Sequence, residues 1–329
     1  MRGLVYSDSE IKITESGLQK GSRLAKKGSL LILVRGSMLF NKIPIGIVSR
    51  DLAFNQDVKS IVVNEQSSSE YILNWFSAFE PKILNMVTGT GIGAGKLDLA
   101  DLKSLEVKIP ILSEQKEISH FLSLVNSRIA TQKKIISHLK TSIRSYREKL
   151  FSQEIRFKDE NEKNFLKWET KKIKDILKIG SGRDYKHLEV GTIPVYGTGG
   201  IITFVNSFLY DGETVCIGRK GTIDKPIYFD GKLWTVDTLF YTHSFNNSIP
   251  KFIFQIFQSI NWKEYNEASG VPSLSKNTIE NIKIIIPSIK EQTKIANFLS
   301  SIGEKIETEK KILAQYEIQK KYLLANLFT

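Results

Sequence analysis

The sequence predicts an α+β protein: two globular modules with mixed, β-rich sheets, joined by two long helices that pair as an antiparallel coiled coil, the whole arranged as a pseudo-twofold internal repeat. Three observations lead there. The chain matches itself at an offset of 177 residues, each copy contains a stretch whose apolar residues recur at steps of four and three, and the segments ahead of those stretches are short apolar runs broken by glycine turns. Length agrees, because 329 residues exceed what one hydrophobic core usually supports, about 250–300. With 41 % hydrophobic and 25 % charged residues, the chain has enough apolar surface to fold rather than stay disordered.

The repeat is plainest where Ile109-Pro110-Ile-Leu-Ser-Glu114-Gln115-Lys-Glu-Ile118-Ser-His-Phe121-Leu122-Ser123 aligns with Ile286-Pro287-Ser-Ile-Lys-Glu291-Gln292-Thr-Lys-Ile295-Ala-Asn-Phe298-Leu299-Ser300. The same offset carries Leu97 onto Leu274 and Leu150-Phe151 onto Leu327-Phe328 without a gap. After Glu-Gln each copy reads as a long helix. In the first, the seam is Ile118, Val125, Gln132, Leu139 and Tyr146 beside Leu122, Ile129, Ile136, Ile143 and Leu150. In the second it is Ile295, Ile302, Glu309, Tyr316 and Leu323 beside Leu299, Ile306, Leu313, Lys320 and Leu327. Such heptads pair helices, and the polar Gln132 and Glu309 at one repeat position suit a register-fixing role. Residues 115–151 as helix make a rod of roughly 55 Å. Ser113 is expected as the N-cap ahead of Glu114 and Gln115. The β-branched runs Leu105–Ile109 and Ile282–Ile286, each closed by proline, read as strands.

These signals divide the chain into a first module over residues 1–110, a first long helix over 111–152, a charged linker over 153–166, a second module over 167–287 and a second long helix over 288–329. Glycine turns such as Gly180-Ser-Gly182, Gly197-Thr-Gly199-Gly200, Asp211-Gly212 and Asp230-Gly231 mark the second module as mostly β, with one helix at Pro250 to Glu267. The first module keeps the same order more loosely, with a helical stretch from Ser69 to Leu84. Gly28 precedes Arg35-Gly36-Ser37 by seven residues, as Gly212 precedes Arg219-Lys220-Gly221, and Asn55-Gln56-Asp57 answers Thr235-Val236-Asp237. Trp168 opens the second module, and the offset puts its counterpart ahead of Met1, so the first module reads as truncated at its N-terminus.

Several function classes drop out. The longest apolar runs, Leu30 to Val34 and Ile282 to Pro287, fall far short of the roughly 18 residues of a membrane span, and no signal peptide opens the chain. The single Cys216 excludes an internal disulfide and a cysteine-based zinc site and fits the reducing cytosol; the four histidines, 120, 138, 187 and 243, show no ligand spacing. The run Gly89-Thr-Gly91-Ile-Gly93-Ala-Gly95-Lys96 lacks the spacing and the hydroxyl of a phosphate loop and reads as a flexible loop. No Asn- or Asp-Pro-Pro-aromatic methyltransferase motif occurs, and the Glu114-Gln-Lys116 of a nuclease reading becomes Glu291-Gln-Thr293 in the second copy. A formal charge of +12 invites a polyanionic partner without naming one.

The twofold I-P-x-x-x-E-Q-x-x-I-x-x-F-L with its heptad helix, together with Ile193-Pro-Val-Tyr196-Gly197-Thr198-Gly199-Gly200, resembles the DNA-specificity subunit of type I restriction-modification systems over nearly the whole chain. The resemblance implies two target-recognition domains, each reading half of a bipartite site in double-stranded DNA, with the paired helices setting the spacer and docking methyltransferase subunits. It implies a non-catalytic subunit, two modification methyltransferase partners and a translocating restriction subunit. S-adenosylmethionine, ATP and magnesium are then expected only on those partners, with no cofactor on this chain. Self-association is expected if the first module is truncated. Groove reading asks for basic and amide side chains on loops. The second module offers Arg183, Tyr185, Lys186, His187, Tyr196, Thr198, Arg219, Lys220 and Lys225; the first offers Arg35, Ser37, Asn41, Lys42, Arg50 and Gln56. A coiled-coil interaction scaffold with degenerate modules and only non-specific DNA binding is the competing reading.

Overall fold

In the computed structural model, which describes residues 4–9, 12–91 and 93–328, the heptad periodicity becomes two helices, Leu112–Phe151 and Ile289–Leu327. The chain divides into two compact units, one made of Met1–Lys134 with Lys310–Thr329, the other of Ile135–Glu309. Each unit therefore holds the start of one long helix and the end of the other, side by side and antiparallel. In the first unit, Arg128 stands 6.0 Å from the Tyr316 ring and Lys133 Nζ lies 2.8 Å from the Glu317 carboxylate. In the second, Tyr146 meets Phe298 edge-on at 5.2 Å. The seam residues Leu122, Ile136, Leu150, Ile295, Leu299 and Ile306 are buried, as is Gln132, while Glu309 is half-buried. Tyr146 departs from the expected seam by being 40 % exposed.

The first unit carries a sheet in the order Val58–Ile61, Leu30–Leu33, Ile45–Val48, Val5–Tyr6. Leu30 and Ile32 are fully buried. The helix Ser69–Leu84, capped by the Ser68 hydroxyl, packs on it through Tyr71, Ile72, Trp75 and Phe76. The second unit has a sheet in the order Lys178–Ser181, Leu239–His243, Thr214–Gly218, Ile227–Phe229, covered by the helix Pro250–Phe257. A second sheet runs Gly200–Val205, Val190–Gly197, Lys232–Thr235, Tyr210–Asp211.

Two repeated devices tie the long helices to the units. Gln115 and Gln292 are fully buried. Gln115 Oε1 accepts from Ser68 N at 2.8 Å and its amide donates to the carbonyls of Gln66 and Pro110. Gln292 Oε1 accepts from Ile249 N at 3.1 Å and its amide donates to Asn247 and Pro287. Each glutamine thus satisfies the backbone that opens the helix packed on its sheet, where partnerless buried groups would be costly. The far helix ends close the cores in parallel fashion: Phe328 packs on Tyr71 at 5.1 Å, and Phe151 on Phe252 at 5.7 Å.

Four local expectations are corrected. Leu105–Ile109 is not a strand; its counterpart Lys283–Ile286 is one because it pairs with Glu169–Lys172, and among the described residues nothing pairs with 105–109. Ser113 lies inside the first helix, which begins at Leu112, so it is no N-cap. The glycine run from Gly89 to Lys96 closes a hairpin between Thr88–Gly89 and Gly95–Lys96, with Gly93 at φ +78° and Ile92 outside the described residues. The helix expected from Pro250 to Glu267 stops at Phe257 and resumes as a single turn, Trp262–Tyr265.

Segment 153–166 is charged, yet part of it is packed. Arg156 makes a 2.8 Å ion pair with Glu291, whose carboxylate is fully buried and also accepts from the Trp168 indole at 3.0 Å. No helix among the described residues is long and apolar enough to cross a membrane.

Candidate nucleic-acid interface

In the second unit the strand Thr214–Gly218 ends in Arg219 and Lys220, both exposed. Gly218 is required there, since a Cβ would stand 2.1 Å from the Thr222 carbonyl oxygen. The loop is pinned on both sides. Leu274 N donates to Arg219 O at 2.8 Å, Gly221 N to Pro272 O at 2.8 Å, and Arg219 N to Thr238 O at 2.8 Å. The Arg219 guanidinium also reaches Asp237 O at 3.3 Å. A cavity of about 620 Å³ opens here, lined by Arg219, Lys220, Asp237, Glu267, Val271 and Ser275 among others.

Other candidates converge on the same rim through the backbone. Arg183 N donates to Thr235 O at 2.8 Å, the Trp234 indole donates to Arg183 O at 2.9 Å, and Val236 N donates to Tyr196 O at 3.0 Å. A Cβ at Gly221 would lie 3.5 Å from the Thr198 hydroxyl, so this side chain adjoins the Arg219 loop. His187 and Lys186 are exposed, with His187 edge-on to Trp234 at 5.9 Å. Tyr185 and Tyr196 instead pack into apolar clusters, around Val195 and Trp234 and around Cys216 and Leu233 respectively. Burial raises the Tyr196 hydroxyl above its ordinary value. Lys225 is exposed.

The first unit builds its rim on the repeat-equivalent loop. The match expected between Arg35 and Arg219 is shifted by one residue: Leu97 N donates to Val34 O at 2.9 Å as Leu274 N does to Arg219 O, and Arg35, opposite Lys96, answers Lys220, which bridges to Ser273. Arg35 N bonds Asp57 O at 3.2 Å. A cavity of about 360 Å³ is lined by Arg35, Gln56, Asp57, Lys59, Lys96 and Asp98. Ser37 opens a single helical turn, Ser37–Phe40, that Asn41 follows, with Lys42 beyond it. Arg50 lies elsewhere, 2.6 Å from the Asp8 carboxylate.

Lys59, Lys96, Glu267 and Asp98 were not among the candidates. Lys59 and Lys96 join Arg35 only through strand pairing, Arg35 being opposite Lys96 in register. Glu267 accepts from the Thr278 hydroxyl and from Ser275 N, bonds that hold its carboxyl below the ordinary glutamate value. Asp98 is likewise lowered, by the Ala100 N–H and then by Lys96, 3.2 Å away. Each rim thus carries fixed donors and fixed acceptors, the combination that base edges in a groove require. No group of three or more potential metal ligands exists among the described residues, and Cys216 is buried with its thiol pushed up to about 12 by desolvation.

A family model described as the type I restriction modification DNA specificity domain matches residues 3–141 and 166–317. The specificity subunit of type I restriction enzyme EcoR124I/EcoR124II of Escherichia coli is 27 % identical over 155 residues, 46 % of this chain and 38 % of that one. The MjaVIII specificity subunit of Methanocaldococcus jannaschii is 23 % identical over 365 residues, covering 97 % of this chain and 81 % of the relative. The chain's match therefore spans less than half of the bacterial relative and about four fifths of the archaeal one. Among solved structures, the type I restriction-modification S subunit from M. genitalium superimposes with a TM-score of 0.65 at 20 % identity, over 100 % of this chain and 89 % of the other. A chain from a structure of type I restriction-modification complex assembly gives 0.57 at 12 % identity, over 93 % and 83 %. With both of its repeats matched, the chain belongs to the type I restriction-modification DNA specificity family.

Proposed function

We propose that the chain is the sequence-specific DNA-recognition subunit of a type I restriction-modification complex, with residues 1–110 and 167–287 as its recognition domains, each reading one half of a bipartite site. The observation that carries this is the pair of rims built on repeat-equivalent loops, Val34-Arg35 held by Asp57 and Leu97 in one unit, Arg219-Lys220 held by Thr238 and Leu274 in the other, each putting an arginine at a cavity. An arginine held by backbone bonds at a cavity mouth suits bidentate contact with guanine, and the neighbouring carboxylates suit cytosine N4. The remaining basic side chains at the rims suit phosphates, which position the protein without specifying sequence. Chemistry belongs to partners: the chain is the non-catalytic member, and methyltransferase subunits dock on the long helices and a translocating restriction subunit completes the assembly.

The test is binding by this chain with its methyltransferase to duplexes identified from the methylome of cells carrying both. One bipartite duplex should bind well above scrambled DNA, with log affinity falling linearly against log salt. Equal binding to scrambled duplex would leave the scaffold reading in place of this one.

A further inference from the structure

Residues 266–275 of the second unit form a loop knitted by its own side chains. Asn266 Oδ1 accepts from Ala268 N at 3.2 Å and from Ser273 N at 2.9 Å, and Glu267 N donates to Ser273 O at 3.0 Å. Pro272 O and Leu274 N then bond to Gly221 N and Arg219 O, so the two loops make one wall of the 620 Å³ cavity. Within that wall Glu267 Oε1 accepts twice, from Ser275 N at 3.1 Å and from the Thr278 hydroxyl, whereas Oε2 has no hydrogen-bond partner among the described residues. The carboxylate is thus fixed through one oxygen and offers the other. Arg219 and Lys220 line the same cavity, and among the described residues neither forms an ion pair with Glu267 or Asp237. Four positions beyond Glu267, Val271 adds an apolar side chain that is 55 % exposed.

A fixed anionic acceptor beside an apolar side chain selects a base edge on which a donor adjoins a methyl group. In the major groove adenine offers a donor without a methyl, and thymine offers a methyl beside an acceptor, which a carboxylate repels. Cytosine presents the N4 donor next to a bare C5, and 5-methylcytosine fills that position. The paired guanine presents N7 and O6, the two acceptors that an arginine such as Arg219 suits. The repeat offset puts Thr90 and Ala94 where Glu267 and Val271 stand, and there the Thr90 hydroxyl is spent on Ala94 O at 2.8 Å. Those positions of the first unit carry no carboxylate.

We propose that the second unit reads one G·C pair with Arg219 on the guanine and with Glu267 and Val271 on its cytosine, and that it binds the pair more tightly when the cytosine is 5-methylated. This rests on the DNA-recognition reading of the rims and adds to it a response to a covalent mark on the DNA.

The experiment uses the chain with its methyltransferase and the bipartite duplex found from the methylome. In the half-site that Arg219→Ala relaxes, the cytosine of each G·C pair is replaced in turn by 5-methylcytosine and, opposite adenine, by thymine. At one position 5-methylcytosine should raise affinity about fourfold, the effect of burying one methylene-sized group, and thymine should lower it about tenfold or more. Val271→Ser should bring the ratio of methylated to plain duplex to about one. Glu267→Gln keeps an oxygen for Ser275 and Thr278 and gains an amide that can donate to thymine O4, so it should shrink the thymine penalty. Methylation that is neutral or harmful at every position overturns the proposal, as does a methylation gain that Val271→Ser leaves intact or a half-site with no G·C pair among its determinants; in these cases DNA recognition itself still stands. Equal binding of the unaltered protein to bipartite and scrambled duplexes would instead remove the recognition reading, and the proposal with it.

Discussion

Replacing Gln292 by leucine keeps the volume of a buried side chain and removes all of its hydrogen bonds. Three backbone groups lose their partner at once: Ile249 N–H, Asn247 C=O and Pro287 C=O. A buried group left unmade costs about 1–3 kcal/mol. The N–H has no second partner and bears the full penalty, whereas each carbonyl keeps a second lone pair. A loss of about 3–6 kcal/mol follows for the second unit. Gln115→Leu should cost less, about 2–4 kcal/mol, because one of its acceptors belongs to Gln66, which is exposed and can turn to water. The assay is urea denaturation of each variant, with amide exchange assigning the loss to residues 247–257 or 66–76. Gln292→Glu, which accepts but cannot donate, should fall between leucine and wild type. A Gln292→Leu protein within about 1 kcal/mol of wild type would refute the reasoning, since it would mean that water or a shifted backbone satisfies these groups as well as the glutamine does.

Arg156→Met leaves Glu291 buried with the Trp168 indole as its remaining side-chain donor, and should destabilise the second unit by about 3–5 kcal/mol in the same assay. Phe328→Ala, removing a ring that is 5 % exposed, should cost the first unit about 3–5 kcal/mol, and Phe151→Ala less because it is half-buried. Arg219→Ala and Arg35→Ala should each lower affinity for the specific duplex by about tenfold or more, relaxing discrimination at one position in opposite half-sites while scrambled-duplex binding changes little. The Glu267 carboxyl is held below its ordinary value by Thr278 and Ser275, so the stability it lends to the 267–278 loop is present above that ordinary value and lost as pH falls through the lowered one. The protection factors of this loop, exchange rates divided into their intrinsic values at each pH, should fall in that acidic window for the wild type and stay level in Glu267→Gln.

The long helices were readable because a seam of Ile, Leu and Val at steps of four and three has few alternatives, and burial of Leu122, Leu299 and Ile306 follows it closely. Gln115 and Gln292 were visible as a repeated pair, but not their purpose, because their partners lie dozens of positions earlier in the chain. Leu105–Ile109 shows the limit of propensity. Its residues favour extended backbone, yet a strand exists only with a neighbour, and Lys283–Ile286 has one in Glu169–Lys172. At the rims, Arg35 and Arg219 could be chosen from their place after apolar runs. Lys59, Lys96 and Glu267 could not, since register and loop hydrogen bonds, not local composition, bring them to the cavities. Tyr185 and Tyr196 have the chemistry of groove readers, and their rings are drawn inward by apolar neighbours instead.

The packing of Tyr71 against Phe328 sets an order of events during synthesis. The core of the first unit includes Leu323, Leu324, Leu327 and Phe328, whereas the second unit runs unbroken from Ile135 to Glu309. A ribosome therefore emits most of the first unit before any of the second, yet the second is complete while the first still waits for its C-terminal piece. The half that begins first matures last, and until then its apolar sheet is the part of the nascent chain most in need of a chaperone.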